Sequence, residues 1–138
     1  MLTVKELMTA QPDTVKPTES LREALAKMNR DGCRHLPVVD GDELVGIITD
    51  RDVRLAVNSP YIADDGDLNR EEMLNAIEVQ ACMTCAPISV KPDTPAHEAA
   101  DLLCLYKFGG LPVLEGRTLT GIVTTTDFLR YVADRKSE

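Results

Sequence analysis

The sequence predicts an α/β protein made of two copies of one β-α-β-β-α unit, packed sheet to sheet about a pseudo-two-fold axis. Three observations predict it. Laid on itself so that Met8 meets Met83, the chain matches without a gap, and about a third of the paired positions are identical. These pairs include Val15/Val90, Pro17/Pro92, Leu36/Leu111, Pro37/Pro112, Gly46/Gly121, Thr49/Thr124 and Asp52/Asp127. Each half holds two short apolar runs around Asp40-Gly41 or Glu115-Gly116, the residue types that turn a hairpin. Each half also shows apolar residues at helical spacing behind a capping residue. One such unit is too small to hide both faces of a three-stranded sheet, so two units packed together are the expected solution.

The elements follow in order. Val15 to Pro17 is extended and closed by proline. Ser20, with Glu23 three residues on, reads as a capping box. Leu21, Ala24, Leu25 and Met28 recur on one helical face, and Gly32 ends that helix. Leu36 to Val39 and Leu44 to Ile48 form the hairpin, and Asp50 to Val57 the second helix. In the second copy Thr94 caps and Pro95 takes the first helical position. Ala96, Ala99, Ala100 and Leu103 make the inner face, and Gly109-Gly110 stop the helix. Strands at Leu111 to Leu114 and Leu119 to Val123 precede a last helix from Thr125 to Asp134. The domain reading is therefore repeat 1 at 1–57, a linker at 58–78, and repeat 2 at 79–138. Asn69 caps a short linker helix with Met73, Leu74 and Ile77 inward. The acidic loop at 64–67, Asp-Asp-Gly-Asp, lacks the residue order of a calcium loop.

Composition narrows the function. The net charge of -8 repels polyanions, so nucleic acid is not the expected partner. No apolar run reaches the roughly 20 residues of a membrane span, and the N-terminus lacks a signal-peptide core. A cytoplasmic protein with reduced thiols is expected, so four cysteines need not form disulfides.

Two motifs suggest chemistry, and each has a plainer structural reading that weighs more. Cys82-Met-Thr-Cys85 has metal or redox spacing, but the repeat sets its cysteines on Leu7 and Ala10. Both are apolar places, where cysteine packs as a small hydrophobe. Cys33, Cys104, His35 and His97 add no paired ligands, so no metal site is expected. His97-Glu-Ala-Ala-Asp101 resembles a zinc helix but ends in aspartate, and its counterpart is plain helix surface. No nucleophile or phosphate loop stands in a recognised motif, so no catalytic residues are assigned and the chain is not expected to be an enzyme.

One phrase occurs in both copies: Gly46-Ile-Ile-Thr49-Asp50-Arg51-Asp52 and Gly121-Ile-Val-Thr124-Thr125-Thr126-Asp127. Thr-x-x-Asp caps a helix. The same geometry suits a nucleotide: free amides at a helix start attract phosphate, and a carboxylate accepts both hydroxyls of a ribose. The physics alone leaves these readings level.

The doubled pattern Met-Thr, Val-x-Pro, Leu-Pro-Val and Gly-Ile-x-Thr-x-x-Asp resembles a tandem pair of CBS domains, the module named for cystathionine β-synthase. The resemblance covers nearly the whole chain, from Val4 to Val132. It implies a stand-alone regulatory module that binds an adenosine ligand (AMP, ADP, ATP, NAD or S-adenosylmethionine) in clefts between the repeats and signals to an effector protein. The nucleotide is then a regulatory ligand, with no resident cofactor. By position, the first site takes Thr14, Val15, Arg34, His35, Leu36, Pro37, Thr49, Arg51 and Asp52. The second takes Ser89, Val90, Gly110, Leu111, Thr124 and Asp127. Arg34, His35 and Arg51 become Gly109, Gly110 and Thr126, so the first site holds the cationic groups that a phosphate needs. The resemblance also implies a homodimer through exposed helix faces. Two other readings stand beside it: a dimerising scaffold without small ligand, and a redox or metal protein using Cys82 and Cys85.

Overall fold

The computed structural model describes residues 1–58, 69–85 and 87–135. The acidic segment at 64–67 lies outside them. In chain order the elements are α1 (Val4–Leu7), β1 (Thr9–Ala10), α2 (Leu21–Asp31), β2 (His35–Asp40), β3 (Glu43–Thr49), α3 (Asp50–Val57) and α4 (Arg70–Ala76). A 3-10 turn (Val79–Ala81), β4 (Thr84–Cys85), α5 (Ala96–Tyr106), β5 (Gly110–Glu115), β6 (Thr118–Thr124) and α6 (Thr125–Asp134) complete them.

Two three-stranded sheets form, ordered β2-β3-β4 and β1-β6-β5. Both hairpins are antiparallel, and Gly41 and Gly116 take φ of 64° and 65° in their turns, a left-handed conformation that glycine adopts without strain. Pro37 and Pro112 lack an amide donor, yet each lies within a strand. Each strand is at a sheet edge, where the proline carbonyl accepts from the extended residue alongside: Val15 N at 3.1 Å and Val90 N at 3.1 Å. Val15 and Val90 thereby bridge in parallel to Val38 and Val113.

The chain divides into two compact units that differ from the sequence partition: Asp13–Ala86, and Met1–Pro12 with Pro87–Glu138. The segment that opens each repeat packs in the unit holding the body of the other. Val79 N and Gln80 N bond the carbonyls of Glu19 and Pro17, while Val4 N and Lys5 N bond those of Thr94 and Pro92. Strand β4 pairs with β3, and β1 with β6. Glycine permits this approach. A Cβ at Gly46 would lie 2.6 Å from Met83 Sδ and 2.8 Å from Thr84 O. At Gly121 it would lie 2.5 Å from Met8 Sδ and 2.9 Å from Thr9 O.

The first unit's core gathers Val15, Leu21, Ala24, Met28, Leu36, Val38, Ile48, Val53, Val57, Met73, Leu74 and Val79. The second gathers Val4, Val90, Ala99, Leu103, Leu111, Val113 and Val123. Helix α4 is too short to persist alone. Burying Met73 and Leu74 supplies about 3–6 kcal/mol before entropy is counted, which is enough to hold it.

Three local expectations need correction. Ser20 accepts from Glu23 N, but the reciprocal half of the capping box does not form; the Glu23 carboxyl interacts with Glu19 instead. Pro95, not Thr94, is the N-cap of α5, because Thr94 Oγ1 is spent on Lys91 N at 2.9 Å. Helix α5 ends at Lys107, which takes the left-handed φ of 57° that Gly32 takes in the first copy; Gly110 opens the strand instead.

Candidate functional site

Each Thr-x-x-Asp phrase forms the junction from a strand to a helix. In the first unit, Thr49 N donates to Asp52 Oδ2 at 2.9 Å and Asp52 N donates to Thr49 Oγ1 at 3.1 Å. This is a reciprocal capping box with aspartate in the usual glutamate place. In the second, Thr124 N donates to Asp127 Oδ2 at 2.8 Å, and Asp127 N to Thr124 Oγ1 at 3.3 Å. The cap occupies one carboxylate oxygen of each aspartate. Oδ1 of each has no protein partner among the described residues.

The amides at these helix starts are less available than the sequence suggests. Asp50 N donates to Arg34 O at 3.1 Å, and Thr125 N to Gly109 O at 2.9 Å. With Asp52 N and Asp127 N also bonded, only the Arg51 and Thr126 amides of the first three stay open in each helix. The start of α3 therefore offers an anion side-chain donors more than backbone amides.

The structure sets His35 near Arg34, Asp50 and Asp52, and Arg51 stands in the first turn of α3 between those two aspartates in sequence. His35 and Thr49 are register partners across β2 and β3. Arg34 and Arg51 are exposed, and neither forms an ion pair among the described residues. Burial holds the His35 imidazole below its ordinary 6.5; the Asp50 and Asp52 carboxylates oppose this and Arg34 reinforces it. At neutral pH His35 is thus a neutral hydrogen-bonding group, and the standing positive charge comes from the two arginines. Leu36 and Pro37 are buried behind it. Val15 pairs at Val38, three residues along, about 10 Å at strand rise. Thr14 is half-buried, and its carbonyl accepts from Lys27 Nζ at 2.7 Å.

The second unit repeats this frame with fewer charges. Gly110 faces Thr124, Leu111 is buried, Val90 pairs at Val113, and Ser89 is exposed. Ser89 and Val90 also line a groove of about 800 Å³ with Lys91, Thr94, Glu98 and Leu102. In the first copy Lys27 stands where Leu102 stands and extends to Thr14 and Glu19.

Cys82 packs as the repeat frame predicts for its apolar position. It is half-buried against the first unit's core, and its thiol is pushed up by burial and then by the Asp52 carboxylate. Cys85 is exposed, so the packing reading does not extend to it. The nearness of Cys82 to Asp52 follows from the exchange of opening segments, and no pattern within one repeat encodes it. A thiol raised in this way is a poor nucleophile. Among the described residues no group of three or more His, Cys, Asp or Glu could hold a metal ion, and no helix is long and apolar enough to cross a membrane.

Two interlocked α/β repeats, each carrying one strand-to-helix Thr-x-x-Asp junction, define a class of paired modules. The CBS domain model matches residues 4–59 and 77–134, and the chain belongs to the CBS domain family. A CBS domain-containing protein of Dictyostelium discoideum is 40% identical over 128 residues, covering 91% of this chain and 88% of the relative. An inosine-5'-monophosphate dehydrogenase of Korarchaeum cryptofilum is 38% identical over 115 residues, which make 83% of this chain but only 21% of that protein. Among solved structures, CBSX2 in complex with AMP superposes with a TM-score of 0.79 at 30% identity, covering 99% of both chains. The CBS domain pair of protein MJ0100, in complex with 5'-methylthioadenosine and S-adenosyl-L-methionine, gives 0.78 at 28% identity, covering 95% of this chain and 99% of that one.

Proposed function

We propose that this chain is a non-catalytic regulatory module whose first repeat binds an adenosine-containing ligand. The observation that carries this reading is the Thr49–Asp52 junction. Asp52 is fixed by its cap and keeps Oδ1 open. It and Arg34 both act on the His35 imidazole, Arg51 precedes Asp52 in the helix, and neither arginine is ion-paired among the described residues. A rigid carboxylate suits two ribose hydroxyls, and the guanidinium groups suit phosphate. Val15 and Leu36 are each only 1% exposed, so neither side chain is open to adenine. AMP bound to CBSX2, and 5'-methylthioadenosine and S-adenosylmethionine bound to MJ0100, support the adenosyl class. AMP, ADP, ATP, NAD and S-adenosylmethionine are the ligands in question, and the arginines favour those with phosphate. Binding shifts the module toward one conformational state, which an effector protein reads. A homodimer is the expected assembly.

The second repeat holds the same aspartate without the cations and is the weaker site. A thermal-shift series tests the asymmetry. A ligand at a hundred times its dissociation constant stabilises the fold by about 2.7 kcal/mol. The shift should vanish in Asp52→Ala and persist in Asp127→Ala; the reverse pattern would place the ligand in the second repeat.

One observation favours a second reading, a scaffold without small ligand: both capping boxes are complete without any ligand. On that reading both substitutions lower stability and no nucleotide shifts either protein.

A further inference from the structure

The two copies treat the space between the extended segment and its first helix differently. In the first unit that space is laced shut from α2. Lys27 Nζ donates to Thr14 O at 2.7 Å and to Glu19 Oε1 at 3.4 Å. Glu23, one turn back on α2, acts on the same ammonium. One turn further on, Arg30 pairs with Asp13. None of these ties can form in the second unit. The repeat sets Leu102 on Lys27, Leu105 on Arg30 and Ile88 on Asp13. What stands there is the groove of about 800 Å³, with Val90, Leu102 and Leu105 as apolar lining and Lys91, Glu98 and Asp101 as its charges.

The groups that hold the Lys27 ammonium have counterparts in the second unit. Ser89 O stands for Thr14 O and has no hydrogen-bond partner among the described residues. Its aim is fixed. Val15 N donates to Pro37 O and Val90 N to Pro112 O, both at 3.1 Å. In a planar trans peptide the preceding carbonyl points the opposite way from that N–H, so Ser89 O has the direction of Thr14 O. Thr94 stands for Glu19; its Oγ1 accepts from Lys91 N and keeps a second lone pair. Glu98 stands for Glu23 and forms no ion pair among the described residues. Three acceptors thus remain, and an ammonium has three donors.

We propose that this groove binds a primary alkylammonium on an apolar stem, seated as the Lys27 side chain is seated in the first unit. The ammonium meets Ser89 O, Thr94 Oγ1 and Glu98, and the stem lies along Leu102 and Leu105. The lining sets the valence. Lys91 offsets one of the two carboxylates, so one ammonium neutralises the groove and a polyamine gains nothing more. A free amine and the lysine side chain of a partner share this chemistry. The groove shares Ser89 and Val90 with the second candidate nucleotide site but uses α5 in place of the Thr124–Asp127 junction. It does not depend on nucleotide binding, and its test is run without nucleotide.

The probe is pentylammonium, titrated into the full chain and followed by amide chemical shifts. Saturable shifts confined to residues 88–105 are expected, with a dissociation constant on the order of millimolar for so small a ligand. Pentan-1-ol, the same stem without charge, should give none. Glu98→Gln, at an exposed position, should weaken binding about two- to fivefold. Leu102→Lys, which supplies the ammonium from the chain as Lys27 does, should abolish it. Tighter binding of Nα-acetyl-lysine methylamide than of pentylammonium assigns the groove to a partner's lysine, and the reverse order assigns it to a free amine. No saturable shift with either amine, equal shifts with pentan-1-ol, or binding unchanged in both variants would overturn the proposal.

Discussion

Asp52 has two tasks, and they can be separated. As a capping group its loss costs about 0.5–2 kcal/mol. As a ribose acceptor its charge-assisted bonds contribute about 1.5–3 kcal/mol each, a loss of roughly ten- to a hundredfold in affinity. Asp127→Ala should match Asp52→Ala in denaturant midpoint but not in ligand affinity. His35 supplies a pH signature. Its folded value lies below the unfolded 6.5, so the unfolded chain binds the proton first as pH falls. The stability it contributes is complete above about 6.5 and is lost as pH falls from there toward its folded value. His35→Gln should flatten the fall in stability just below pH 6.5, measured by urea unfolding across pH; an unchanged slope would show that His35 is not the titrating group. Gly46 makes a third residue-scale case. Gly46→Ala should cost about 1–3 kcal/mol by overpacking. Met83→Ala should not rescue it, because Thr84 O is backbone and lies 2.8 Å from the added carbon.

At the scale of elements, most of the fold was legible in the sequence. Alternating apolar runs and Asp-Gly or Glu-Gly turns located both hairpins. The bounds of α3 and α6 follow directly from Thr49 and Thr124, whose caps leave little choice of starting residue. What failed had local competitors. Thr94 is as good a cap as Ser20 by type, but it lies one residue too early in the repeat frame and turns back on Lys91. Gly109-Gly110 is a stronger stop signal than Lys107, yet the repeat fixes the stop where Gly32 stands. Lys107 then carries a left-handed strain of about 1 kcal/mol. Lys107→Gly should recover about that much in equilibrium unfolding; a loss of stability would show that Lys107 makes a compensating contact.

At the scale of the molecule, the repeat was legible and the exchange of opening segments was not. Self-matching shows that Met8 corresponds to Met83 and Gly46 to Gly121. It does not show that Met83 packs on Gly46 and Met8 on Gly121. Those contacts cross the repeat frame and leave no periodic signal. The exchange decides which residues surround each site, and it brings Cys82 near Asp52. Thr49, Asp52, Thr124 and Asp127 were legible as helix caps because one short phrase encodes the strand-to-helix junction. The lowered proton affinity of His35 was not, since it depends on burial.

The central claim is that the first repeat recognises an adenosine ligand through Asp52. Calorimetric titration of AMP, ADP, ATP, NAD and S-adenosylmethionine into wild type, Asp52→Ala and Asp127→Ala addresses it most directly. Saturable binding of at least one ligand, lost in Asp52→Ala and retained in Asp127→Ala, is the predicted result. No heat from any of the five with folded protein, or binding that survives Asp52→Ala, would contradict it.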